Sequence, residues 1–258
     1  MKVALLGPEG TYTHQATRKH FEDFNPIFCS TIEQVFDSSA EKIVVPFENT
    51  LGGGISETID FLREKNYAIE SEEKISIDHV LLSKEDKISE VDKVVSHPQA
   101  FNQCRKYLSD RDWTKKESTS TAQAAKNLGE NEAAIASRLA GKINGLNVLE
   151  EDLQDMKSNV TRFMVLGEEP GEGDKTGLIL DPEEDRPGLL SNMLSCFSGH
   201  GINLSFIQSR PKRTEMGEYF FFVEAESSRK SENFDKSVKC LETYCDVEVL
   251  GSYGVING

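Results

Sequence analysis

Apolar positions in this chain come in short runs, separated by stretches with helical spacing. Lys2 to Leu6 reads as a buried strand closed by Gly7-Pro8-Glu9-Gly10. A helix carrying Ala16 and His20-Phe21 follows, capped by Thr11 or Thr13. Glu33 to Phe36 reads as a short helix and Ile43-Val44-Val45-Pro46-Phe47 as a strand. Ile55, Ile59 and Leu62 then fall on one helical face. Tyr67 to Ile69, Ile75 to Ile77 and His79 to Leu82 read as extended segments. Lys93 to Ser96 is a further strand, and Pro98 suits the first turn of a helix bearing Ala100, Phe101, Cys104, Tyr107 and Leu108. Another helix starts after Ser118-Thr119-Ser120, followed by a strand at Ala133 to Ala136, a helix at Arg138 to Lys142 and a strand at Leu146 to Leu149. The run Val160 to Leu166, ending at Gly167, closes the series.

This order predicts an α/β chain whose first part has two lobes. One lobe takes residues 1–77 and 160–167, the other residues 78–159. Two crossings, near 75–80 and 155–161, place a cleft between them, and clefts of this kind hold small ligands. Residues 168–175, with Glu168-Glu169-Pro170-Gly171-Glu172-Gly173-Asp174, read as an acidic linker. Residues 176–258 then give strand, helix, strand, strand, helix, strand, the ferredoxin-like βαββαβ order.

Composition narrows the function. The net charge of −15 argues against a nucleic-acid partner. An anionic ligand must therefore be drawn by a local cationic pocket, since the global field repels it. No apolar run is long enough to span a membrane, and Val3 to Leu6 is too short for a signal-peptide core. A soluble, cytoplasmic protein is expected. Five scattered cysteines without a C-x-x-C pair fit reduced thiols better than a disulfide framework. The histidines have no partners at metal-ligand spacing, so no metal is expected. No G-x-G-x-x-G fingerprint points to a dinucleotide, and no cofactor is expected.

Candidate chemistry gathers at strand ends. Thr161-Arg162 pairs a hydroxyl with a planar cation, which suits a carboxylate and a neighbouring oxygen. The same residues also fit an ordinary strand start with Arg162 in a surface ion pair. Glu48-Asn49-Thr50-Leu51-Gly52-Gly53-Gly54 fits either close backbone approach to a ligand or a plain glycine turn. Ser96-His97 and Ser120-Thr121 stand at strand-to-helix junctions, where caps and ligand donors look alike.

Together these stretches resemble the prephenate dehydratase family with a C-terminal ACT regulatory domain. The resemblance rests on Gly7-Pro8-Glu9-Gly10-Thr11-Tyr12-Thr13, Val45-Pro46-Phe47-Glu48-Asn49-Thr50, Ser96-His97-Pro98-Gln99-Ala100-Phe101-Asn102-Gln103-Cys104, Ser120-Thr121-Ala122 and Asn159-Val160-Thr161-Arg162-Phe163. Each is weak alone, but five in order over nearly the whole chain are specific. The resemblance implies a catalytic region similar to type 2 periplasmic-binding folds and the conversion of prephenate to phenylpyruvate. It implies catalysis by Thr161, with Arg162 as carboxylate clamp. It also implies substrate contacts from Thr11, Asn49, Thr50, Gly52, Gly53, Ser96, His97, Gln99, Ser120, Thr121 and Phe163. Arogenate, which differs by an amino group, fits the same residues as a substrate. An amino-acid sensor without catalysis is the reading from another class.

In the second domain, Arg186-Pro187-Gly188-Leu189-Leu190 stands where the family has a Gly-Ala-Leu-like stretch. Gln208-Ser209-Arg210-Pro211 stands where it has Glu-Ser-Arg-Pro. With Asn203 and Leu204, these imply an L-phenylalanine effector site at an ACT interface, and so a homodimer or homotetramer. Gln208 departs from the family's glutamate, and Arg186-Pro187 makes the first loop bulkier and more basic.

Overall fold

The computed structural model describes residues 1–213 and 217–254. Lobe A contains β1 (Lys2–Leu6), α1 (Tyr12–His20), β2 (Asn25–Cys29), α2 (Ile32–Phe36), β3 (Lys42–Asn49), β4 (Gly53–Gly54), α3 (Ser56–Glu64) and β5 (Ala68–Ser76). Lobe B follows with β6 (Val80–Ser83), β7 (Lys93–Ser96), α4 (Pro98–Gln103), α5 (Arg105–Ser109), β8 (Thr114–Glu117), α6 (Thr121–Lys126), β9 (Glu132–Ala136), α7 (Arg138–Asn144) and β10 (Asn147–Glu150). The chain then re-enters lobe A as β11 (Val160–Gly167). The C-terminal domain has β12 (Lys175–Asp181), α8 (Leu189–Ser198), β13 (Leu204–Pro211), β14 (Tyr219–Ala225), α9 (Glu232–Leu241) and β15 (Asp246–Tyr253).

The lobe A sheet runs β2-β1-β3-β11-β5, with β4 paired to β3. Strand β11 lies antiparallel between β3 and β5. The returning segment is thus central to its sheet. Lobe B orders as β10-β6-β9-β7-β8, and the C-terminal sheet as β13-β14-β12-β15. Hydroxyl caps set the helix starts: Thr11, Ser120 and Ser137 each accept from the backbone N–H three residues on. Two strands carry no clear sequence signal. Strand β2 begins Asn25-Pro26 at a sheet edge, and β8 is Thr-Lys-Lys-Glu, exposed at every position. Edge strands need no apolar alternation.

The C-terminal sheet is two-faced. Helices α8 and α9 cover one face, burying Leu178, Leu180, Met193, Phe197, Val223 and Phe234. A disulfide joins Cys196 of α8 to Cys240 of α9, with Cα atoms 5.7 Å apart. This corrects the expectation of reduced thiols throughout. The two cysteines are 44 residues apart and meet only because the helices pack side by side, which spacing does not reveal.

The other face lies on lobe A. Ile179, Phe220, Phe222, Leu250 and Tyr253 join Phe47, Ile59, Ile69 and Met164 in a single apolar cluster. The Phe47 and Phe222 rings stand 5.2 Å apart. The glycines of the 168–175 segment serve close approach. Gly171 N–H donates to Ile69 O at 3.0 Å, and a Cβ at Gly171 would lie 1.9 Å from the Glu70 carbonyl oxygen. The segment read as a linker is therefore seated against lobe A.

An ion cluster completes this seam. Arg162 reaches Glu48 at 3.0 Å, Glu72 at 2.9 Å and Glu224 at 2.7 Å, with its guanidinium carbon 5.3 Å from the centre of the Phe47 ring. Glu72 and Glu224 are fully buried, and Lys175 also bonds Glu72, at 2.5 Å. Burial opposes the charge on Arg162, but Glu224 and then Glu72 outweigh it and hold its pKa above the ordinary value. Removing one partner of such a cluster strands the others. We expect Arg162→Met to cost about 3–5 kcal/mol in chemical denaturation. A change under about 0.5 kcal/mol would show that the cluster does not hold the seam.

Candidate active site

The groove between the lobes encloses about 350 Å³. Lobe A lines it with Thr11 and Tyr12 from the start of α1, Asn49 from the end of β3, and Thr161 and Phe163 from β11. Lobe B contributes His97, Gln99 and Gln103 around α4, and Ser120 and Thr121 at the start of α6. His79 sits at the crossing between them.

Thr161 lies opposite Asn49 on one side and Ile75 on the other, and is only 8% exposed. Asn49 Nδ2 donates to Thr161 Oγ1 at 2.9 Å and to Asn159 Oδ1 at 2.8 Å. Asn49 Oδ1 accepts from the Leu51 and Gly52 N–H groups at 3.0 and 3.2 Å. The asparagine is thus locked by contacts at both ends of its amide. A hydroxyl has two lone pairs and one proton. Asn49 occupies a lone pair of Thr161, and its proton has no acceptor among the described residues. That proton is available to whatever fills the groove.

Arg162 is not there. Successive residues of a strand face opposite sides, so Thr161 and Phe163 face the groove while Arg162 faces Glu48, Glu72 and Glu224. The expected carboxylate clamp is corrected: this cation is spent on the seam. The register of β11 against β3 shifts between Arg162 and Phe163, opposite Pro46, where β3 lacks an N–H to donate.

Other expected site residues divide by geometry. Ser96 is buried, and its hydroxyl donates to Ile135 O at 2.6 Å, tying β7 to β9. Thr50 Oγ1 donates to Ser158 O at 3.1 Å and accepts from Val160 N at 3.0 Å, which braces the start of β11. Neither lines the groove. Gly52 lines an adjoining cavity of about 420 Å³, which shares Gln99 and Gln103 with the groove. Gly53 stands at φ +74° in β4 and lines neither. His97 does both things its position allowed: its Nδ1 caps Gln99 N–H at 3.2 Å and its ring lines the groove.

Tyr12, His79, Gln103 and Asn159 were not singled out by sequence reasoning. Gln103 had a usable signal, since it lies one turn after Gln99 on the same helix face. His79 had none, because its place depends on how the lobes meet. Among the described residues no lysine, arginine or carboxylate lines the groove, which corrects the expectation of a cationic pocket. Its polar lining consists of hydroxyls, amides and imidazoles. An anion there would be held by oriented neutral dipoles.

The expected effector residues do not meet in one cavity. Leu189 and Leu190 line a hollow of about 60 Å³ with Tyr219 and Phe221. Arg186, Pro187 and Gly188 lead exposed into α8. Asn203 donates to Glu226 at 2.8 Å, and Leu204 packs on the helix-side core. On β13 the two-residue period splits the motif again. Gln208 donates to Ser56 at 2.9 Å, and Arg210 bonds Asp60 with two contacts of 2.7 Å. Both therefore face α3 of lobe A, while Ser209 and Pro211 are exposed. Of the residues expected to line the effector site, Gln208 and Arg210 are thus committed to lobe A instead.

A model of the prephenate dehydratase family matches residues 3–171, and one of the ACT domain matches residues 184–237. Over 98% of its length the chain is 38% identical to a bifunctional chorismate mutase/prephenate dehydratase of Aquifex aeolicus, of which 73% is covered. A crystal structure of prephenate dehydratase from Arthrobacter aurescens in complex with L-Phe matches with a TM-score of 0.89 at 30% identity, over 98% of this chain and 90% of that one. A structure of GqqA, described as a quorum quenching acylase, matches with a TM-score of 0.90 over 100% of this chain and 99% of that one. At 24% identity that likeness concerns the fold alone. The catalytic match runs through both lobes and β11, so the groove built around Thr161 and Asn49 is that of a chain belonging to the prephenate dehydratase family.

Proposed function

We propose that this chain converts prephenate to phenylpyruvate, carbon dioxide and water, with Thr161 as the donor to the departing oxygen. Prephenate carries two carboxylates and a ring hydroxyl. The bond between the ring and its carboxylate breaks, and that electron pair completes the aromatic ring. The ring C–O bond breaks with its electron pair leaving on oxygen, and the departing hydroxide takes a proton from solvent to become water. Aromatisation makes the reaction downhill, so the protein has to hold the dianion and assist the leaving oxygen.

The observation that carries this reading is the Asn49–Thr161 pair. Asn49 orients the threonine oxygen and leaves its proton for the groove. A threonine hydroxyl is too weak an acid to give its proton away. It donates a hydrogen bond that strengthens as the leaving oxygen gains charge. Hydroxyls and backbone N–H groups at Ser120 and Thr121 supply neutral donors for the carboxylates, whereas the Thr11 hydroxyl donates to Leu6 O at 3.0 Å and only lines the groove. Gln99 and His97 add polar contacts.

We further propose feedback regulation by L-phenylalanine at the C-terminal domain, in a homodimer or homotetramer in the cytoplasm. The hollow beside Leu189 and Leu190, about 60 Å³, is too small for a benzyl side chain. Strand β13 is an edge of its sheet, with Ile207 43% exposed. A second copy against that edge would enlarge and close the hollow. Among the described residues, no helix is long and apolar enough to cross a membrane.

Thr161→Ala should lower kcat for prephenate by about a hundredfold with little change in KM, the effect of losing one transition-state donor. Near-normal kcat would defeat the assigned role. Saturating phenylalanine should lower the rate of the wild-type protein and favour the associated form in sedimentation. An unchanged rate across the titration would remove the regulatory reading.

A further inference from the structure

His79 stands at the first crossing between the lobes and is only 2% exposed. It touches both lobes. Its Nδ1 lies 3.1 Å from the Tyr12 hydroxyl on α1, and its Nε2 lies 2.8 Å from Gln103 Oε1 at the end of α4. Its backbone N–H donates to Gln154 Oε1 at 2.9 Å, and its carbonyl accepts from Leu153 N at 3.1 Å. The residue therefore also joins the first crossing to the approach to the second.

With the Gln103 amide oxygen turned toward His79, the protons in this chain follow one order. Burial pushes the His79 pKa below the ordinary histidine value, against the Gln103 hydrogen bond and the Asp78 charge. A neutral imidazole donates from one nitrogen and accepts at the other. Gln103 presents a carbonyl oxygen, which only accepts, so Nε2 carries the proton. Nδ1 is then the acceptor. The single Tyr12 hydroxyl proton lies between Nδ1 and the Asp78 carbonyl oxygen, 2.8 Å away. Gln103 Nε2 is left without a hydrogen-bond partner among the described residues, on a side chain that lines the groove.

We propose that His79 is a positioning residue for the reaction. Its Nε2–H fixes the Gln103 amide in the orientation that offers N–H donors to a substrate oxygen. The flipped amide would present an acceptor and repel a carboxylate or a departing hydroxide. Tyr12 lies in lobe A and Gln103 in lobe B, so the amide is fixed only while the lobes stand in this relation. The donor and the groove are delivered together. This inference rests on the groove being the site of the prephenate reaction.

The test is a double-mutant cycle on kcat/KM for prephenate, with His79→Phe, Gln103→Ala and the two combined. Each single change should lower kcat/KM by about tenfold to a hundredfold. The double variant should be no worse than Gln103→Ala, because His79 acts through that amide. His79→Gln, which still has an amide donor for Gln103 Oε1, should recover most of the loss. Losses that multiply in the double variant, or wild-type kcat/KM in His79→Phe, would overturn the assignment. Should His79→Phe not fold, Tyr12→Phe removes one oxygen and reads the same coupling in the same cycle. An inactive wild-type protein would instead sink the reading of the reaction itself.

Discussion

Arg162 carries a charge that water barely reaches. Its side chain is 14% exposed, and two of its three carboxylate partners, Glu72 and Glu224, are fully buried. Buried carboxylates left alone would be costly, so cation and anions require one another. Glu72 belongs to β5 of lobe A and Glu224 to β14 of the C-terminal sheet. The cluster therefore fixes the sheet on the lobe. It also fixes the register of β11, since a slip of one residue would turn Arg162 into the groove and Thr161 into the seam. The placement of the hydroxyl in the groove and the docking of the second domain are one constraint.

That constraint explains why the groove is built from neutral groups. The arginine beside the reactive hydroxyl is already committed elsewhere. What remains around the groove is a set of hydroxyls and amides held by mutual hydrogen bonds, with Asn49 braced by Leu51, Gly52, Asn159 and Thr161. Such groups are fixed before a substrate arrives and need little reorganisation as charge moves. Glu48, which bonds Arg162, precedes Asn49 in β3. A displacement of the C-terminal sheet that disturbs Glu224 thus has two short routes to the reactive hydroxyl, along β11 and along β3.

The order of elements was legible because apolar runs and glycine or hydroxyl punctuation mark strands and helix starts directly. The βαββαβ order and the return of the chain at Thr161 came through for that reason. Side-chain direction was harder. Thr161-Arg162 and Gln208-Ser209-Arg210 each look like a single functional unit in one dimension, yet a strand divides every such unit between two faces. Ser96 and Thr50 were misplaced for a related reason: a hydroxyl at a strand end serves a neighbouring carbonyl as readily as a ligand. The Cys196–Cys240 bridge and the role of the 168–175 glycines depend on tertiary packing that no local spacing encodes.

The threading of the chain through lobe A has a consequence for synthesis on the ribosome. Strands β3 and β5 leave between them a slot that only β11 fills, and β11 is made after the whole of lobe B. Lobe B is contiguous and can close on its own core as it emerges. Lobe A, although first to appear, waits with a gap in the middle of its sheet, and unpaired strand edges of that kind invite misassembly. The segment that carries the reactive threonine is also the keystone that ends this exposed stage, so an unfinished chain has neither a closed first lobe nor a site.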